Sequence, residues 1–172
     1  APALALGTEK GDPDIMIQHP RPSKEPIINR YMRTGILVQT IAITAVTLLA
    51  YYIGRSTEPE HLAFAETMAF VTLSVSELLR AYTARSEYFP LLKIGVFSNK
   101  YMNYAFLSSL VLILAVIYVP FLQVVFDTQP LGWAQWLEIL PLLIIPSLAA
   151  EVNKYIATAL RRRKPSPAVG MD

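Results

Sequence analysis

Four stretches of the chain are almost wholly apolar, Gly35–Ile53, Leu62–Tyr82, Tyr104–Leu122 and Trp136–Ala157, and polar segments separate them. At ~1.5 Å rise per residue, about 20 helical residues cross the ~30 Å hydrocarbon core of a bilayer. Each stretch meets that length, so the pattern predicts four transmembrane helices and an all-α membrane protein. A water-soluble domain would have to bury every stretch on all sides, and 172 residues do not enclose that much interior. The pattern divides the chain into an opening segment, residues 1–33, a four-helix membrane bundle over 34–160, and a basic tail, 161–172.

An even number of crossings puts both termini on one side, and the positive residues sort accordingly. Of the 15 lysines and arginines, only Arg55 falls on the far side. Such a bias predicts cytoplasmic termini, a cytoplasmic middle loop over about 83–100 and two short outer loops. In a bacterium the membrane would be the plasma membrane. The run Arg161–Lys164 follows the last span directly, where it can anchor to anionic headgroups. No aromatic-basic module accompanies it, so the lipid bilayer, and no nucleic acid, is the expected partner.

Composition changes this picture little. Hydrophobic residues make up 53% of the chain and charged ones 16%, the apolar end of the range. Cysteine is absent, which removes disulfides, thiolate metal sites and cysteine nucleophiles together. The first residues lead into a polar, proline-rich stretch without a signal-peptide core. The opening on Ala1 rather than Met suggests a piece of a larger protein.

Between the spans, glycine and proline set the expectations. Gly7, Gly11, Pro13, Pro20, Pro22 and Pro26 break regular structure, so residues 1–33 are expected as an ordered loop without helix, packed on a larger body. The middle loop carries Phe89, Leu91, Leu92, Ile94, Val96 and Phe97, too apolar for a free linker, and should pack at the membrane surface. The third span is the most purely apolar and suits a lipid-facing support. Trp133 and Trp136 fall where an aromatic belt is expected, and Pro141 and Pro146 predict a bend in the last span.

Glu77 is the most informative single residue. It lies 15 residues into the second span, roughly 22 Å along the helix. An ionisable group at that depth costs about 2.5–3.5 kcal/mol on insertion scales and faces protein or a water-filled path. Glu66, 11 residues earlier, returns to nearly the same face, and Ser74 and Arg80 flank it. Two readings follow: Glu77 supplies an oxygen ligand to a translocated hard cation, or it pairs with Arg80 and only holds helices together. His19 and His61 are expected on opposite sides and cannot share a metal. No phosphate-cradling loop, triad or complete metal-ligand set occurs.

Several blocks resemble a known family. PALALG at Pro2–Gly7, DPDIM at Asp12–Met16 and PRPSKEP at Pro20–Pro26 look like the loop after the sixth membrane helix of P-type cation-transporting ATPases of the sarcoplasmic-reticulum and secretory-pathway calcium-pump type. ETMAFVTLSVSELLRAYTARSE, Glu66–Glu87, resembles their eighth helix, and WLEILPLLIIPSLAAEVNKYI, Trp136–Ile156, their tenth. The resemblance implies the last four helices of the transport domain, with the phosphorylated aspartate and the nucleotide site upstream of Ala1. It implies no cofactor on this chain, which should catalyse nothing alone, and ATP and Mg²⁺ on the full-length parent. The implied partners are the remaining helices and cytoplasmic domains of that pump and a divalent cation. Asp12 and Asp14 would lie in a loop that couples the spans to the cytoplasmic domains.

Glu77 matches the eighth-helix position that gives a carboxylate to one of two calcium sites in the resembled family. The position three residues on is often small or amide-bearing there, and here it is Arg80, whose guanidinium can neutralise Glu77 and leave one cation per cycle. Ca²⁺ is the first expectation; Mn²⁺, Na⁺, K⁺ or H⁺ for a pump of the same superfamily, and an autonomous four-span scaffold, are the alternatives.

Overall fold

The structure, a computed structural model, describes residues 2–9, 28, 30–86 and 91–162, with backbone only for 30, 31 and 157–162. Asp12, Asp14, His19 and the tail beyond Arg162 lie outside the described residues. Every regular element among those described is helical: α1 Pro2–Leu6, α2 Arg30–Thr57, α3 Leu62–Thr83, α4 Leu91–Ile94, α5 Lys100–Tyr118, α6 Pro120–Phe126 and α7 Trp133–Arg162. Four of them, α2, α3, α5 and α7, are long and apolar enough to cross a membrane, with spans of Met32–Thr57, Leu62–Thr83, Lys100–Tyr118 and Trp133–Ile156.

The spans agree with the apolar stretches in number and order but differ at their ends. A hydropathy window stops where side chains turn polar, whereas the helical hydrogen-bond ladder continues until something caps it. The third span illustrates this. It begins at Lys100 because Asn99 is its N-cap, its side chain accepting from the Met102 amide at 3.1 Å. It ends at Tyr118 rather than Leu122 because Pro120 lacks an amide proton and disfavours helical backbone in the residue before it. Val119 is accordingly extended (φ −86°, ψ 116°), closing α5 and opening α6 with Pro120 at its first position. The two prolines of the last span do not interrupt α7, which runs continuously through Pro141 and Pro146.

The opening segment corrects an expectation. Pro2–Leu6 is a short helix, in which proline occupies the first position, where its missing amide proton is harmless, and Ala-Leu-Ala-Leu favours helix.

Three helices, α2, α3 and α7, pack against one another, and α5 leans mainly on α3. Their shared core holds Val46, Ala50, Phe64, Met68, Val71, Val75, Ile139, Leu142 and Leu143. A tight approach occurs at Gly54, where a Cβ would sit 2.7 Å from the Ala65 Cα, so the absence of a side chain lets α2 and α3 touch. By contrast α5 buries only Met102 and Ile117 and leaves Tyr104, Leu107, Val111 and Leu112 exposed. Its far end is tied to the start of α7 by the Tyr118 hydroxyl, which donates to the Leu131 carbonyl and accepts from Trp136 Nε1, each at 2.7 Å. At the opposite end a second apolar cluster joins Ala5 of α1, Tyr82 of α3 and Met102 of α5.

Candidate functional site

The burial pattern of α3 decides where Glu77 points. Phe64, Met68, Val71, Thr72, Val75 and Leu78 are among the residues buried against the other helices. Glu66, Phe70, Leu73 and Glu77, at steps of four, three and four, form an exposed stripe along the opposite side. The helical period therefore gives α3 one face inside this bundle and one uncovered face bearing two carboxylates.

The structure brings Glu77 and Arg80 together. Arg80 Nη1 lies 3.3 Å from Glu77 Oε2 and 3.5 Å from Oε1, with side-chain exposures of 39% for Arg80 and 47% for Glu77. Both are long contacts between partly exposed side chains, made by one nitrogen of the guanidinium. Arg80 also lines a cavity of about 220 Å³ between α2, α3 and α7, with Gln39, Thr83, Asn153 and Lys154 on its walls. It stands between the uncovered face and the seam of the bundle.

A calcium ion takes 6–8 oxygen ligands and Glu77 offers two. Among the described residues there is no group of three or more His, Cys, Asp or Glu placed to hold a metal. Glu66, Glu138 and His61 are exposed. Glu151 has protein partners: it accepts from the Leu91 amide at 3.0 Å and from Lys154 at 3.1 Å. Lys154, buried, also donates to the Thr83 carbonyl at 2.5 Å, satisfying an orphan carbonyl at the end of α3.

A polar cluster that the sequence did not reveal lies near that end. Arg85, just beyond α3, pairs with Glu9 of the opening segment. The hydrogen bonds from Arg85 hold the Glu9 carboxyl below its ordinary value against the opposing effect of burial, and the Asn99 amide and the guanidinium charge act in the same direction. Nothing in periodicity or spacing signals a contact across 76 residues.

A helical bundle with four membrane-length apolar helices, one of them carrying a carboxylate stripe on its uncovered side, is a multi-pass integral membrane protein. The chain belongs to the family described as cation transporting ATPase, C-terminus, whose model matches residues 1–156. It is similar to the calcium-transporting ATPase of Bacillus subtilis (strain 168), 35% identical over 146 residues, covering 85% of this chain and 16% of the relative. It also resembles calcium-transporting ATPase 1 of Lactococcus lactis, 34% identical with coverage of 90% and 17%. The calcium-transporting ATPase type 2C member 2 of Rattus norvegicus is 35% identical, with coverage of 88% and 15%. The chain thus spans about one sixth of the length of these relatives.

Proposed function

We propose that this chain forms the last four membrane helices of an ATP-driven cation pump that moves Ca²⁺, and that Glu77 lies on the ion path. The observation that carries the reading is the uncovered carboxylate face of α3 in a family of cation-transporting ATPases. The relatives named above as calcium-transporting support Ca²⁺ as the cargo. On this reading the upstream helices cover the stripe and complete the ion's ligand set, while ATP and Mg²⁺ act on the parent's cytoplasmic domains. The termini and the 83–100 loop face the cytoplasm, on the strength of the charge bias. Asp12 and Asp14 contribute fixed negative charge to a coupling loop. Replacing both with alanine should slow ATP-dependent phosphorylation, and unchanged turnover would reduce that loop to a connector.

Arg80 gives the site its particular character. A guanidinium one turn from the carboxylate replaces part of a bound ion's charge, which favours one cation per cycle. The test is the cation dependence of ATP hydrolysis by the full-length pump. Glu77→Gln should raise the half-saturating Ca²⁺ concentration about tenfold or more, from loss of a charge-assisted contact of ~1.5–3 kcal/mol. If Glu77 served only Arg80, the same change would leave a cation unpaired in the bundle and lower stability instead. The double variant Glu77→Gln with Arg80→Gln separates the two. A stable protein with a persistent affinity defect supports the ligand role, and restored stability with wild-type affinity rejects it.

A further inference from the structure

Arg85 has a side chain with 0% exposure, and its guanidinium is engaged on every side. It grips Glu9 as a fork, Nε to Oε2 at 2.9 Å and Nη2 to Oε1 at 2.7 Å. Nη1 donates to the carbonyls of Gly95 and Val96 at 2.9 and 3.0 Å, and Nη2 also reaches Ser98 Oγ at 2.5 Å. Gly95 has φ +89°, a conformation open to glycine that presents its carbonyl in this turn. Asn99 adds a hydrogen bond from Nδ2 to Glu9 Oε2 at 2.8 Å while its other side-chain atom caps α5. One guanidinium therefore joins the opening segment, the end of α3 and the turn that leads into α5.

The two halves of this cluster do different things. The contacts to Gly95, Val96 and Ser98 are local and hold the turn after α3 by themselves. The contact to Glu9 reaches outside that turn and, with the Asn99 bond, fixes the opening segment against it. A buried ion pair is a weak source of stability because desolvation offsets the attraction. A bidentate fork is, however, geometrically specific. It resists sliding and rotation that an apolar contact such as Ala5 against Met102 would allow.

Resting on the pump reading, we infer that Arg85 is a positioning residue that makes the opening segment and the α3–α5 turn move as one body. A displacement entering through the opening segment is then delivered to the end of α3 at Thr83, six residues or ~9 Å from Glu77. The pair would thereby link cation occupancy on α3 to phosphorylation upstream, and such links between sites are worth about 5–150-fold in affinity.

The test uses the full-length pump and measures phosphorylation by ATP as a function of Ca²⁺ concentration, with the thermal midpoint measured alongside. Glu9→Gln keeps the size of the side chain and spares the contacts of Arg85 to the turn. It should shift the half-saturating Ca²⁺ concentration by about fivefold, and because a buried guanidinium loses its carboxylate the thermal midpoint should fall as well. Arg85→Lys, which keeps charge but not the fork, should shift it in the same direction. Ser98→Ala removes a contact inside the turn and should leave the cation dependence as in wild type. An unchanged cation dependence in Glu9→Gln, or an equal shift in Ser98→Ala, would overturn the inference. A wild-type protein without ATP-dependent phosphorylation would overturn the pump reading itself, and this inference with it.

Discussion

The close approach of α2 and α3 at Gly54 gives a direct test of how the bundle is packed. A Cβ on Gly54 would lie 2.7 Å from the Ala65 Cα and 3.0 Å from the Met68 sulfur, and both neighbours have no exposed surface. The atom in the way is backbone, so it cannot rotate aside; a side chain here must push the helices apart. Gly54→Val adds that Cβ and two methyl groups. Overpacking of this kind costs about 1–3 kcal/mol, and the better helix propensity of valine returns only ~0.4 kcal/mol. The expected net loss is about 2 kcal/mol. Gly132→Ala is the control, because its added Cβ meets the free end of the Gln135 side chain at 2.8 Å, which can swing away. It should change stability by less than about 0.5 kcal/mol. Unfolding of the purified chain in mixed micelles by increasing SDS, followed by the fluorescence of Trp133 and Trp136, reads both variants. A Gly54→Val protein that unfolds with the wild type, or two variants that lose equally, would refute the close-contact explanation.

Two further predictions follow from charge. Glu9 has a carboxyl whose value in the folded chain lies below its ordinary 4.5. The unfolded chain therefore takes up the proton first as pH falls, and the stability from the Glu9–Arg85 pair is complete above about 4.5 and lost through the lowered folded value. Wild type and Glu9→Gln should differ in stability at neutral pH and converge as acid takes the pH through that window; a constant difference would contradict the pairing. On sidedness, single cysteines placed at Ser23 and Ser166 should be labelled from the same side and one at Thr57 from the other. Labelling of Ser23 and Ser166 from opposite sides would rule out four crossings.

What the sequence disclosed and what it withheld divide along the range of the interactions. The spans were legible because lipid imposes a length on any apolar run. The Glu77–Arg80 pair was legible because residues three apart on a helix are neighbours whatever surrounds them. Pro120 was visible as a feature near the end of the third span, but that it ends α5 and starts α6 depends on Val119 turning extended. The prolines of α7 announced a bend, and the helix runs through both of them without a break. The contacts that hold the 83–100 end together were not readable at all. Arg85 finds Glu9 across 76 residues, Lys154 finds the Thr83 carbonyl across 71, and Gln39 donates to the Pro146 carbonyl across 107. Each is a tertiary accident of which helix lies beside which. Polar residues at the ends of spans look alike in a sequence whether they face water or close a loop.

The most direct measurement is ATP-driven ⁴⁵Ca²⁺ uptake into inside-out vesicles holding the full-length protein, with ATP hydrolysis followed in the same sample. Uptake that requires ATP, collapses on adding a calcium ionophore and approaches one Ca²⁺ per ATP would agree with a calcium pump whose eighth-helix site is shared between Glu77 and Arg80. ATP hydrolysis that does not respond to Ca²⁺, with no ATP-dependent ⁴⁵Ca²⁺ uptake, would contradict the assignment of the cargo, and a ratio near two would contradict the role given to Arg80.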